Sequence, residues 1–306
     1  MTMDKFLSKK RNVVLVAIFY CFLWGSAFPL VKICMEETCA IDNMSKCLVA
    51  GIRFTLSGLL LSMFCLVKGK QKIDMSGKNT LTVAVYGILT ALQYAFTYLG
   101  LSKVNGSVGA IFDQLCVFIV IIFGGLFLKN DSLTFRKIAG CVIGLAGILA
   151  VSTDGLTLKF EFMGEGMMTF AALTQAAAYF VAVFSANKLS AVKLVGFGQL
   201  TAGILLTVFS LMAGGKITQM TSVGIITLIC LALISAVAYV LSLLPLKYFP
   251  ASEIAVFNLL ITVFGVVMSA LVLGENVFKL NYLVSLILVS AGIFFVNHNK
   301  QDSGKS

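Results

Sequence analysis

Ten runs of roughly twenty mostly apolar residues, joined by short connections, fill this chain almost end to end. They fall at about 13–34, 46–67, 79–99, 104–128, 134–152, 165–187, 192–213, 221–244, 251–273 and 279–297 of 306 residues. A helix of about 20 apolar residues crosses the roughly 30 Å hydrocarbon layer. Lipid admits only backbone that satisfies its own hydrogen bonds, so helices are the expected spanning element. The expected fold is an all-α polytopic membrane protein with ten transmembrane helices. Only 12% of the residues are charged, against about a quarter in a soluble domain. No linker marks out a separate soluble domain. The basic start Lys9, Lys10, Arg11 resembles a secretory leader. The apolar run after it is too long for one and lacks a small-x-small cleavage site, so it reads as a retained first helix.

The net charge of +10 follows from topology rather than from a nucleic-acid partner, for which no motif is present. Of 23 Lys and Arg, Lys32 and Arg53 lie inside spans. Lys46, Lys103, Lys159, Lys216 and Lys279 fall on one side, and the other 16 fall on the opposite side. The poorer side also collects acids, among them Glu36, Glu37, Asp42, Glu161 and Glu275. Basic residues concentrate on the cytoplasmic side. Both termini are therefore expected in the cytoplasm, in a multi-pass protein of the cell membrane.

Eight cysteines are present. Cys21, Cys65, Cys116, Cys141 and Cys230 lie inside apolar runs, where they act as small hydrophobes. Cys34, Cys39 and Cys47 cluster near one connection, where a disulfide is the minor expectation. No CxxC occurs and the single histidine, His298, is in the C-terminal tail. No metal and no cofactor are expected. Without Gly-x-Ser-x-Gly, HExxH or a P-loop, a membrane-embedded enzyme and a nucleotide-driven pump are both disfavoured.

Residues 51–151 align without a gap on 196–296, an offset of 145. "GIRFTLSGLLL" meets "GFGQLTAGILL", Tyr94 meets Tyr239, "SVGAIFDQL" meets "SEIAVFNLL", and "AGILAV" meets "AGIFFV". Each half holds five spans. Five is odd, so the second half enters from the opposite side and the repeats are inverted. The expected units are 12–152, 164–297 and a tail at 298–306. In such architectures solute binds near the midplane between the repeats.

Polar residues near the midplane are the candidate cavity lining. A charge at the bilayer centre costs at least about 2.5–3.5 kcal/mol, so it should face a cavity or a partner. Asp113 lies roughly 14 Å into its span and Arg53 roughly 12 Å from the same face, at about 1.5 Å per residue. Two readings stand for them. They form a buried ion pair that holds helices together, or they line the cavity and address opposite charges on an amphoteric solute. In the second reading Asp113 can also take up a coupling proton. Asn258 is the repeat mate of Asp113. Gln93, Tyr94, Gln175, Tyr179 and Tyr239 sit at mid-span, where buried amides and phenols need partners that a cavity supplies. Trp24, halfway along the first helix, is deeper than an interfacial belt would place it. Pro29 follows it and permits a kink. Lys32 is expected to snorkel to the headgroups.

The motifs resemble those of the drug/metabolite transporter superfamily, specifically the EamA family. "FLWGSAFPLVKI" (22–33) resembles its first-helix signature and "RFTLSGLLL" (53–61) the opening of its second helix. "GLAGILAV" (144–151) and "SAGIFFV" (290–296) resemble the closing helix of each repeat, and 246–275 the penultimate helix ending in Gly-Glu. The chain departs from the family at Val117 and Thr262, where a proline is common. It departs again at Lys129-Asn130, where the first repeat's Gly-Glu would stand, and at Gln175, near a common Trp. The resemblance implies a central cavity and export or exchange of small metabolites, often amino acids. It also places an Arg at position 53 whatever the solute. The expected partners are a small-molecule substrate and the lipid bilayer, with a homo-oligomer open. The alternatives are a flippase for lipid-linked groups and a non-transporting membrane subunit.

Overall fold

The apolar runs fold into helices whose outward side chains are apolar and whose polar groups turn inward. Phe19, Phe22, Leu60, Met63, Ile226 and Phe209 are exposed, whereas Arg53, Ser57, Gln114, Gln199 and Ser235 are buried. That inversion of the soluble pattern is what a lipid solvent selects. The structure is a computed structural model, and it describes residues 10–68, 77–127, 134–151, 153–154, 157–158, 160–249 and 257–297. The helices are α1 (Lys10–Glu37), α2 (Asn43–Lys68), α3 (Gly77–Leu101), α4 (Gly106–Phe112), α5 (Leu115–Phe127) and α6 (Phe135–Val151). They continue with α7 (Met167–Ser185), α8 (Ala191–Met212), α9 (Ser222–Leu243), α10 (Leu259–Leu273) and α11 (Leu280–Asn297). A π-helical turn, Phe162–Gly166, leads into α7. A minimal antiparallel pairing of β1 (Thr153–Asp154) with β2 (Thr157–Leu158) follows α6. Seven of the described helical segments are long and apolar enough to cross a membrane, and three more are shorter and apolar. The chain is a multi-pass membrane protein, and its described residues form ten helical spans, α4 and α5 together making one.

The inverted repeat is visible in how glycines let helices touch. Near the middle of α2, a Cβ on Gly58 would stand 2.3 Å from the Leu200 backbone nitrogen. At the repeat-equivalent position in α8, a Cβ on Gly203 would stand 2.2 Å from the Thr55 nitrogen. Thr55 and Leu200 are themselves equivalent at the offset of 145. Farther out, Gly51 meets Thr207 and Gly196 meets Leu61 and Ser62. The index rises along one helix as it falls along the other, so α2 and α8 are antiparallel. Equivalent helices that run antiparallel across a shared contact are related by an axis in the membrane plane. The α6–α11 pair obeys the same rule, with Gly147 against Val289 and Gly292 against Gly144. The remaining helices swap between halves. Helix α1 packs on α9 and α10, while its mate α7 packs on α3 and α5.

The fourth span departs from expectation. A continuous helix over 104–128 is the simplest reading of its apolar run. Instead α4 ends at Phe112, Asp113 and Gln114 form a turn, and α5 begins at Leu115. The turn is closed by short-range bonds, Gln114 N to Ile111 O (3.1 Å) and Cys116 N to Asp113 O (3.2 Å). Asn258 takes the same place before α10, with Ile261 N donating to Asn258 O at 2.9 Å. No proline causes either break. Side chains satisfy the backbone that the breaks release. Gln114 Nε2 donates to Asn258 O (3.3 Å), Thr262 Oγ1 to Ala110 O (3.3 Å) and Cys21 Sγ to Phe257 O (3.1 Å). The two turns therefore meet. Helix α4 is held at its other end by Glu275, whose carboxylate accepts from Gly106 N (2.7 Å), Ser107 N (3.1 Å) and Ser107 Oγ (2.6 Å). Glu275 reaches this position because Gly274, at φ 65°, ends α10 in the left-handed conformation that glycine tolerates.

One smaller expectation is corrected. Lys32 does not snorkel: its Nζ donates to Val104 O (2.7 Å) and Leu101 O (3.4 Å), taking up carbonyls at the end of α3 that have no intrahelical partner. All eight cysteines are free. The aligned stretch at 252–256 lies outside the described residues.

Candidate functional site

Where the two broken spans face α1, α3, α7 and α9, the helices leave a cavity. It encloses about 990 Å³ of empty space, mouth included. All nine side chains singled out from the sequence line it: Trp24, Arg53, Gln93, Tyr94, Asp113, Gln175, Tyr179, Tyr239 and Asn258. Helical spacing explains the grouping. Gln175 and Tyr179 are four residues apart, and so are Tyr20 and Trp24, so each pair shares one face.

Three groups of contacts organise the walls. On the α3–α9 wall, the Tyr239 hydroxyl lies 2.9 Å from the Tyr94 hydroxyl, with Gln93 Oε1 at 3.4 Å. The Trp24 ring stands edge-on to Tyr239, centroids 4.7 Å apart. At the breaks, Tyr20 donates to Asn258 Oδ1 at 3.1 Å, and the Gln175 amide and the Asp113 carboxylate both line the cavity. On the α2 wall, Arg53 is 1% exposed. Its Nε donates to Ser235 Oγ (2.8 Å) and its Nη1 to Tyr98 Oη (3.4 Å). The guanidinium carbon lies 5.0 Å from the centre of the Phe54 ring and 5.5 Å from that of Tyr94. Ser235 is steadied in turn: Gln199 Nε2 donates to its carbonyl at 3.3 Å, and Ser57 Oγ donates to Gln199 Oε1.

Arg53 and Asp113 do not form the ion pair that equal depth allowed. Two of the three guanidinium nitrogens go to hydroxyls, and the third, Nη2, is buried with no hydrogen-bond partner. The ring contacts offset part of the burial cost, at about 0.5–2 kcal/mol each. The orphaned donor adds a further cost of about 1–3 kcal/mol. The cavity thus presents a carboxylate and a guanidinium that are not neutralised by each other. Its walls between them are aromatic and amide-bearing. Such a chamber can hold a small solute by charge at two places and by ring contact between. Among the described residues no group of three or more His, Cys, Asp or Glu side chains gathers as a metal site.

Tyr20, Tyr98 and Gln114 contribute to this arrangement and were not singled out in the sequence. Tyr20 and Tyr98 each stand one turn from a residue that was, Trp24 and Tyr94, and that spacing is the signal that points to them. Gln114 had no signal of its own, since its role depends on the break.

The EamA-like transporter family matches the sequence twice, over residues 11–153 and 162–298. The "Uncharacterized transporter YvbV" of Bacillus subtilis is 26% identical over 303 residues, covering 96% of this chain and 93% of its own length. The "Probable amino-acid metabolite efflux pump" of Escherichia coli is 23% identical over 300 residues, covering 94% of this chain and 95% of its own. A known crystal structure superposes with a TM-score of 0.69 at 15% identity, over 93% of this chain and 98% of that one. At that identity the likeness is one of fold.

Proposed function

Because the chain belongs to the EamA-like transporter family, we propose that it is a secondary active transporter that exports or exchanges a small amphoteric metabolite, such as an amino acid. It works by alternating access in the cell membrane, with both termini in the cytoplasm, and it is not an enzyme. The observation that carries this reading is Asp113. A carboxylate stands at a helix break, as its repeat mate Asn258 does, in a cavity lined by both repeats. Inverted-repeat transporters bind solute at such discontinuities, because released backbone and buried charge are tolerated only where they face a cavity. The positively charged end of the solute lies against Asp113 and Gln175, and the apolar part lies among Trp24, Tyr94 and Tyr239. The relative named for amino-acid metabolite efflux supports the solute class. Rocking of one repeat against the other exposes the cavity to each side in turn.

The test is exchange in liposomes containing the purified protein. Vesicles loaded with one unlabelled amino acid at a time are offered the labelled form outside, with and without a pH gradient. Accumulation of at least one member above protein-free vesicles is expected. No accumulation across the whole panel would sink the amino-acid reading.

A further inference from the structure

We infer that Arg53 is the anion-binding end of this cavity, and that the solute must carry a free carboxylate. The inference rests on the transporter reading above and deepens it. The guanidinium is buried at mid-span, and no carboxylate among the described residues bonds to it. A full positive charge at that depth calls for a counter-charge, which the described side chains around it do not supply. Its orientation is fixed by two hydroxyls on different helices, Ser235 on α9 and Tyr98 on α3. That posture leaves Nη2 as the one nitrogen with nothing to bond. Arg53 is also part of the cavity lining. The spare nitrogen carries two N–H groups and suits an oxygen of a carboxylate, to which it can donate a charge-assisted hydrogen bond.

The Tyr94 ring covers the guanidinium, and its hydroxyl is engaged with Tyr239. A carboxylate therefore reaches Nη2 by turning that ring aside, which exchanges a ring contact for a charge-assisted hydrogen bond. A solute with only a positive end satisfies Asp113 and leaves Arg53 uncompensated. The site consequently selects against amines, amides and esters that match the solute in shape.

Two measurements test this on the purified full-length protein. The first reads thermal unfolding in detergent with propionate or propionamide at matched ionic strength. Propionate is expected to raise the unfolding temperature of the wild type by several degrees while propionamide does not, and Arg53→Gln is expected to abolish the rise. Arg53→Lys, which keeps the charge and guards against misfolding, is expected to lose most of it, because an ammonium cannot serve Ser235, Tyr98 and an anion together. No propionate-specific rise, or one of equal size in both variants, overturns the inference. The second compares liposome exchange of each amino acid with that of its primary amide. Acids moving at least tenfold faster than amides is the expected result. Equal rates overturn the carboxylate requirement and leave the transporter reading intact. A propionate rise with no amino acid moved keeps the anion site and overturns the amino-acid reading instead.

Discussion

Tyr94 and Tyr239, which occupy equivalent positions in the two repeats, touch each other hydroxyl to hydroxyl at 2.9 Å. Two equivalent residues in mutual contact must straddle the axis that relates the repeats. When the halves exchange conformations, a contact on the axis maps onto itself. Off-axis contacts, such as Glu275 with Ser107, map onto different residues in the other half.

The tyrosine pair therefore should act as one unit. Tyr94→Phe and Tyr239→Phe are each expected to slow exchange by a similar factor. The double variant is expected to be no slower than either single one, the signature of a shared interaction. Initial rates in liposomes check this, and strictly additive losses would show that the hydroxyls act separately.

Glycine at the α2–α8 crossing is expected to be sensitive in a symmetric way. Gly58→Ala and Gly203→Ala each push a methyl group into facing backbone at 2.3 and 2.2 Å. Backbone yields little, so each should destabilise by about 1–3 kcal/mol or more, as overpacking does. The two should match within about 1 kcal/mol. Unfolding temperatures in detergent decide it, alongside Gly77→Ala as a control, since nothing lies within 4 Å of a Cβ there.

Glu275 caps α4 across the repeats. Glu275→Ala leaves the Gly106 and Ser107 nitrogens without their acceptor, and should cost about 0.5–2 kcal/mol, as lost N-caps do. Glu275→Gln keeps one acceptor oxygen and should cost less. The order wild type, Gln, Ala in thermal stability is the expected result.

Asp42, in the connection before α2, caps that helix by accepting from Ser45 N (2.8 Å) and Ser45 Oγ (2.5 Å). The Ser45 hydroxyl, followed by the Ser45 amide, holds its carboxyl below the usual carboxylate range. A depressed folded-state pKa gives stability that is present above the unfolded value, about 3.9. That stability is lost as pH falls through the lower folded value. Asp42→Ala should therefore be less stable than wild type at neutral pH, with the gap closing under strong acid. The effect is small, because the group is solvated. Unfolding temperature against pH for both proteins measures it.

The helical spans and their inversion were legible because lipid imposes a length and a polarity that each run must meet, and because the offset of 145 repeats them. The breaks before α5 and α10 were not legible. Val117 and Thr262 give no local signal there, and the turns are stabilised by tertiary bonds, such as Gln114 to Asn258 O, that no local pattern encodes. Depth along a helix put Arg53 and Asp113 at one level but said nothing of which way each faces. The fold turns Arg53 toward Ser235 and Tyr98, while Asp113 lines the cavity with Gln175. The partners of Lys32 were hidden for a related reason: the end of α3 comes close enough to offer carbonyls, so the side chain has no need to reach the headgroups.

The most direct measurement is amino-acid uptake into liposomes by wild type and Asp113→Asn, each with and without a pH gradient. The expected result is that wild type responds to the gradient, whereas Asp113→Asn loses that response and exchanges more slowly, because the solute's positive end has lost its counter-charge. A variant that transports identically to wild type under both conditions would contradict the account, because the carboxylate at the helix break would then have no part in transport.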